Sequence, residues 1–71
     1  MKAIFIVDHN INKNINQVMM FVPEGFDRAR ARVAAQECGI ESPNILAVID
    51  VDEMAGHRMA DHVDYYVPYS R

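Results

Sequence analysis

Two stretches of the chain, residues 3–7 (AIFIV) and 45–49 (ILAVI), are apolar at every position. Successive residues of a strand face opposite sides of a sheet, so each stretch predicts a strand buried on both faces. Residues 17–22 (QVMMFV) predict another strand, with Val18, Met20 and Val22 on one face. The asparagine-rich run 9–16 (HNINKNIN) between the first two suits a turn or loop, and its short length predicts an antiparallel hairpin. Pro23, Glu24 and Gly25 break the second strand. Near the end of the chain, residues 62–68 (HVDYYVP) alternate Val63, Tyr65 and Val67 with Asp64, Tyr66 and Pro68. This reads as a half-exposed fourth strand, and Pro68 places it at an edge because proline cannot donate to a ladder.

Residues 27–38 carry the pattern of a helix. Asp27 is a suitable N-cap and Gly39 a suitable C′ residue. Ala31, Ala34, Ala35 and Cys38 fall on one face, and their small side chains allow close approach to a sheet. Arg28 and Arg32, one turn apart, flank that face; Arg30 lies on its other edge, and Val33 falls at the boundary or in solvent. Ser42, Pro43 and Asn44 form a turn into a third strand over about 44–51. Residues 52–62 (DEMAGHRMADH) suit a short helix or a loop, Gly56 weakening the helix.

The expected plan is β-β-α-β-(α)-β within a single small domain, residues 1–71. Its class is α+β, a mostly antiparallel four-stranded sheet with one main helix packed on one face. The doubly apolar first and third strands are the expected central pair. A direct β-α-β step would make any pairing of the second and third strands parallel. One helix shields one face of a sheet, so the opposite face is expected to meet solvent or another molecule. Association is therefore the expected mode of action.

Size and charge sharpen this expectation. A chain of 71 residues buries only about 60% of its unfolded surface, so its core is marginal without a staple, a metal or a partner. The one cysteine, Cys38, cannot form an internal disulfide, and its usage suits a reducing compartment. Five methionines and 51% hydrophobic residues oppose disorder. The net charge of −3 disfavours direct nucleic-acid binding. The apolar run after Lys2 is too short for a signal peptide and is broken by Asp8. Nor does any segment approach the roughly 20 apolar residues of a membrane span. A cytoplasmic protein without membrane contact is expected.

Candidate chemistry is sparse. His57 and Asp61, four apart, would share a helix face and with His62 and Asp64 could reach one metal, Asp50 and Asp52 adding oxygens. The same residues also read as a solvated polar surface. IFIVDHN and NILAVIDVDEM, with Asp8 and Asp50 at strand ends, resemble the acidic-pocket strands of response-regulator receiver domains. A receiver needs five strands and five helices, His9 stands where its second acidic residue belongs, and no matching lysine follows. No phosphoryl-acceptor role is carried over. Cys38, on the small-residue face of the helix, reads as a small hydrophobe. Tyr65, Tyr66 and Tyr69 crowd the last strand beside Asp64, and aromatic rings with polar tips favour interfaces.

The short acidic chain, its strand-strand-helix opening and the pattern Asp27-x-x-x-Ala31-x-x-Ala34-Ala35-x-x-Cys38-Gly39 resemble small phage-encoded anti-CRISPR proteins. The likeness covers most of the chain as architecture and residues 18–40 as pattern. It implies action without catalysis or cofactor, by occupying a nucleic-acid-binding or partner-binding surface of a bacterial defence complex, and a homodimer. No functional residue carries over from that group, which shares no motif. The residues expected at a protein-partner surface are Asp52, Glu53, Asp64, Tyr66 and Tyr69, with no catalytic or metal site. The alternative is a metal-binding sensor or metal-dependent hydrolase using His57, Asp61 and His62.

Overall fold

In the computed structural model, residues 1–9, 15–54, 56 and 62–69 are described. The elements follow in the order β1 (Lys2–His9), β2 (Ile15–Val22), α1 (Arg28–Glu37), β3 (Pro43–Asp50), α2 (Val51–Met54) and β4 (Tyr65–Tyr66). They form an α+β fold around one four-stranded sheet of order β3-β1-β2-β4. β1 pairs antiparallel with both β2 and β3, whereas β4 runs parallel to β2, so the sheet is mixed.

The strand order corrects one expectation. The central pair is β1 and β2, not β1 and β3. An apolar run on both faces of a strand reports that both faces are covered; it says nothing about whether both edges are paired. β3 is covered on one side by α1 and on the other by α2, yet lies at the sheet's edge. Nor do β2 and β3 pair. Both are antiparallel to β1, hence parallel to each other with β1 between them, and α1 carries the chain across. The parallel pairing belongs to β2 and β4 instead: Val18 faces Tyr65 and Met19 faces Tyr66. β4 keeps its expected edge position but has only two residues.

α1 begins and ends where its capping residues dictate. The Asp27 side chain accepts a 2.8 Å hydrogen bond from the Arg30 amide, satisfying one of the donors that a helix start leaves open. At the other end the Ile40 amide donates to the Ala35 carbonyl and the Gly39 amide to Gln36, both at 3.1 Å. This is a Schellman closure, and it needs the positive φ of 102° that Gly39 adopts without side-chain strain. Ala31, Ala34 and Ala35 are buried against the sheet, and Val33 is exposed. They meet Ile4, Ile6, Val18, Met20, Val22, Phe26, Ile40 and Ile45 in the main core.

The opposite face is not bare, which is a second correction. Ala3, Phe5 and Met19 point there and are 0%, 2% and 1% exposed. The chain leaves β3 at one edge of the sheet and enters β4 at the other. Along this route Val51 and Met54 of α2, together with Val63, pack on that face. Counting only the long helix as a lid missed this crossing. The cover is incomplete, since Phe21, Ala47 and Ile49 on the same face stay partly exposed. A bulge kinks β3 where Leu46 slips in between Ala47, opposite Phe5, and Ile45, opposite Ile6.

Because both faces are roofed, truncation should hurt on either side. Phe5→Ala, on the face away from α1, is expected to cost about 3–5 kcal/mol and Met20→Ala, beneath α1, about 2–5 kcal/mol. Urea unfolding followed by circular dichroism checks this. A Phe5→Ala cost near that of a surface substitution would mean that the second face is open to water.

Candidate functional site

The five residues expected at a partner surface do not gather in one place. α2 begins as β3 ends, and Val51 and Met54 anchor it on the face away from α1. That leaves Asp52 and Glu53 exposed. Tyr66 lies on the same side: its ring stacks on Phe21, with centroids 6.1 Å apart and planes 9° from parallel. It remains 59% exposed, a large ring held in place with one surface in solvent. The half-buried Ala47, Ile49, Val51, Met54 and Val63 pack on Ala3, Phe5 and Met19 of the same face, with β3 and α2 towards the edge opposite Tyr66. This side of the sheet therefore carries an apolar middle, an aromatic ring at one edge and acids towards the other.

Asp64 and Tyr69 have structural work instead. The Asp64 amide donates to the Gln17 carbonyl, and its carboxylate accepts from the Gln17 amide, both at 2.7 Å. With the Val67 amide donating to Met19 at 3.0 Å, this clamp fixes β4 on β2. Tyr69 is on the helix side, edge-on to Phe26 at 5.5 Å between centroids, and half buried. Alternation placed Tyr65 and Tyr69 on one face with Val63. The two tyrosines do share the helix side, but Val63 packs on the other, because regular pairing holds only over Tyr65 and Tyr66.

The carboxylates at strand ends are far apart. Asp8 pairs with Pro43 at one end of the sheet and Asp50 with Lys2 at the other. Six residue steps at about 3.3 Å separate these ends by roughly 20 Å. A shared acidic pocket of the receiver kind is thus ruled out by the antiparallel pairing of β1 and β3. Each acid has a local partner instead. Lys2 Nζ meets Asp50 Oδ1 at 2.7 Å, and this hydrogen bond, reinforced by the opposite charge, lowers the Asp50 pKa and raises that of Lys2. Tyr65 donates its hydroxyl to Asp8 Oδ2 at 3.1 Å. Partial burial first, and then the Asp8 carboxylate, raise its phenol pKa.

Of the alternative metal ligands, His57 and Asp61 lie outside the described residues, while His62 is exposed. Among the described residues no three His, Cys, Asp or Glu side chains are gathered as a metal site would need. Cys38 is half buried, with its Sγ 3.7 Å from the Pro68 carbonyl. Among the described residues no helix is long and apolar enough to cross a membrane.

Two features escaped the sequence. The Asp8–Tyr65 contact joins residues 57 apart and needs β4 to lie parallel on β2. The second is an open groove of about 440 Å³ between α1 and β3, lined by Arg28, Ala29, Arg32, Pro43, Asn44 and Ile45. The spacing of Arg28 and Arg32 was visible in the sequence; the strand that makes the opposite wall was not.

No protein-family model matches the chain, and neither a curated protein nor a solved structure is found to be similar to it.

Two titrations follow from these pairs. The Lys2–Asp50 contribution is present above the ordinary Asp pKa of 3.8 and is lost as pH falls through the lowered Asp50 pKa. On the alkaline side it is fully present below the ordinary Lys value of 10.5 and is lost as pH rises through the raised Lys2 pKa. Asp50→Asn should lower the melting temperature slightly near neutral pH, because the pair is exposed, and should match wild type near pH 2. In an ultraviolet titration one phenol, Tyr65, should ionise above the ordinary value of 10.0. Asp8→Asn should bring it part of the way down, leaving the share due to burial.

Proposed function

We propose that the chain is a non-enzymatic, cytoplasmic protein-binding inhibitor or regulator, acting as phage anti-defence proteins do by occupying a surface that a partner needs. The observation carrying this reading is the side of the sheet away from α1. There half-buried apolar side chains cover the middle of the sheet, Tyr66, stacked on Phe21, stands exposed at the β4 edge, and Asp52 and Glu53 stand exposed on α2 towards the β3 edge. Apolar surface bordered by an exposed aromatic ring and by charge is the composition of a binding surface. The acidic flank suits a basic groove, such as a partner uses to hold nucleic acid, and would steer the approach to it. In this reading Asp52, Glu53 and Tyr66 bind, while Asp64 and Tyr69 hold the fold that presents them.

Affinity purification from the native host with wild-type protein and an Asp52→Lys, Glu53→Lys, Tyr66→Ala variant tests the proposal. Wild type should retain one partner in stoichiometric amount, and the variant should bind it at least about 30-fold more weakly, as expected for loss of an anchor worth about 2 kcal/mol. Both proteins should unfold at similar temperatures. Unchanged partner affinity would overturn the assignment. So would light scattering that showed a homodimer dissociated by Tyr66→Ala, because the face would then belong to a second copy.

A further inference from the structure

The groove between α1 and β3 lies on the helix side of the sheet, across from Tyr66 and α2, and does not depend on the reading above. Three arginines leave α1, in three different situations. Arg30 lies over the Phe26 ring, its guanidinium carbon 4.5 Å from the centroid. Arg28 donates to the Ile45 carbonyl of β3, which holds its guanidinium at the groove with further N–H groups to offer. Arg32, one turn on, has no acidic partner among the described residues. Asp27, next to Arg28 in sequence, is turned to the Arg30 amide as the helix cap, and the first turn of α1 contains no acidic residue. Two guanidinium groups with no acidic partner among the described residues thus face one groove on a chain of net charge −3.

The opposite wall of the groove is the start of β3, and β3 is the outer strand of the sheet. Among the described residues no strand lies on its far side; Pro43 has no N–H and the Ile45 carbonyl already accepts from Arg28, so the start of this edge has the Pro43 carbonyl and the Ile45 amide to offer an extended chain. Asn44 is exposed in this wall, and the bulge at Leu46 interrupts the edge beyond it. The stretch before the bulge, Pro43–Ile45, is the part of this edge directly beside the arginines.

We propose that this groove binds a short, extended acidic segment of a protein, its backbone laid along the start of β3 and a carboxylate held by Arg28 and Arg32. Guanidinium groups match a carboxylate in charge and in the geometry of paired hydrogen bonds. The strand edge supplies the preference for an extended peptide over a free anion.

The test uses a fluorescein-labelled pentapeptide of alternating threonine and glutamate, with fluorescence anisotropy as the readout on the full chain. Micromolar binding is expected, weakening several-fold as salt is raised from about 50 to 300 mM. The glutamine analogue should bind at least tenfold more weakly, and so should the wild-type peptide to Arg32→Gln. An analogue N-methylated at alternate amides should lose most of its affinity, because it cannot pair with the strand edge, and full affinity would overturn the strand-edge part of the proposal. Arg30→Gln, whose side chain rests on Phe26, should bind as wild type does. Circular dichroism confirms that each variant is folded; should Arg28→Gln unfold, Arg32→Gln and the glutamine peptide still decide. No binding at millimolar peptide, equal binding of the neutral analogue, or full affinity in Arg32→Gln would overturn the proposal. So would inorganic phosphate or a single-stranded oligonucleotide that competed at lower concentration than the acidic peptide.

Discussion

Burial of β1 on both of its faces is the constraint from which the rest of the structure follows. Ala3, Ile4, Phe5 and Ile6 are at most 2% exposed. A strand reaches that state only with a roof on each side and a neighbour on each edge. β2 and β3 supply the edges, α1 one roof, and α2 with Val63 the other. Each strand end and each crossing of the chain can be read as a step towards enclosing these four residues. In a chain of 71 residues little apolar surface remains for a second core, which is why the outer parts of the same sheet stay half covered.

The two roofs differ, and so do the surfaces they leave. α1 is regular, capped at both ends and lined with alanine, so it sits close and seals its side of β1 and β2. Its outward residues include Arg28, Arg30 and Arg32, and where it passes over the edge strand β3 it leaves an open groove. Among the described residues the other roof is a single turn of helix together with Val63. It buries Ala3, Phe5 and Met19 but leaves Phe21, Ala47 and Ile49 half covered, with acidic residues beside them. The arginines of α1 thus lie on one side of the sheet, and the exposed acids of α2 and Tyr66 on the other. That difference comes from how the two covers differ.

Several elements were plain from residue pattern. The hairpin of β1 and β2, the limits of α1 at Asp27 and Gly39, the exposed Val33 and the edge position of β4 all rest on local chemistry. Turn residues, caps, periodicity and proline act within a few positions of themselves. The candidate surfaces were legible only in part. Tyr66 and the α2 acids emerged as exposed, as their residue types suggested. Asp64 and Tyr69 looked equally available but are tied down by Gln17 and Phe26, partners 47 and 43 positions away in the chain. The spacing of Arg28 and Arg32 was evident, but a groove requires a facing wall, and nothing local to α1 announces β3.

The amino-acid sequence by itself determined the α+β class, the identity and order of the main elements, the caps of the helix, and which side chains prefer water. These are decided by short-range sterics and by the alternation of apolar positions. The tertiary structure alone decided that β3 lies outside β1 rather than in the middle, that β4 runs parallel to β2, and that Asp8 and Asp50 stand at opposite ends of the sheet. It also decided that the second face has a roof. The reason is physical: an apolar pattern records how much of a strand is covered, but not which element covers it or which strand lies beside it. Those choices are settled by the joint packing of segments distant in the chain.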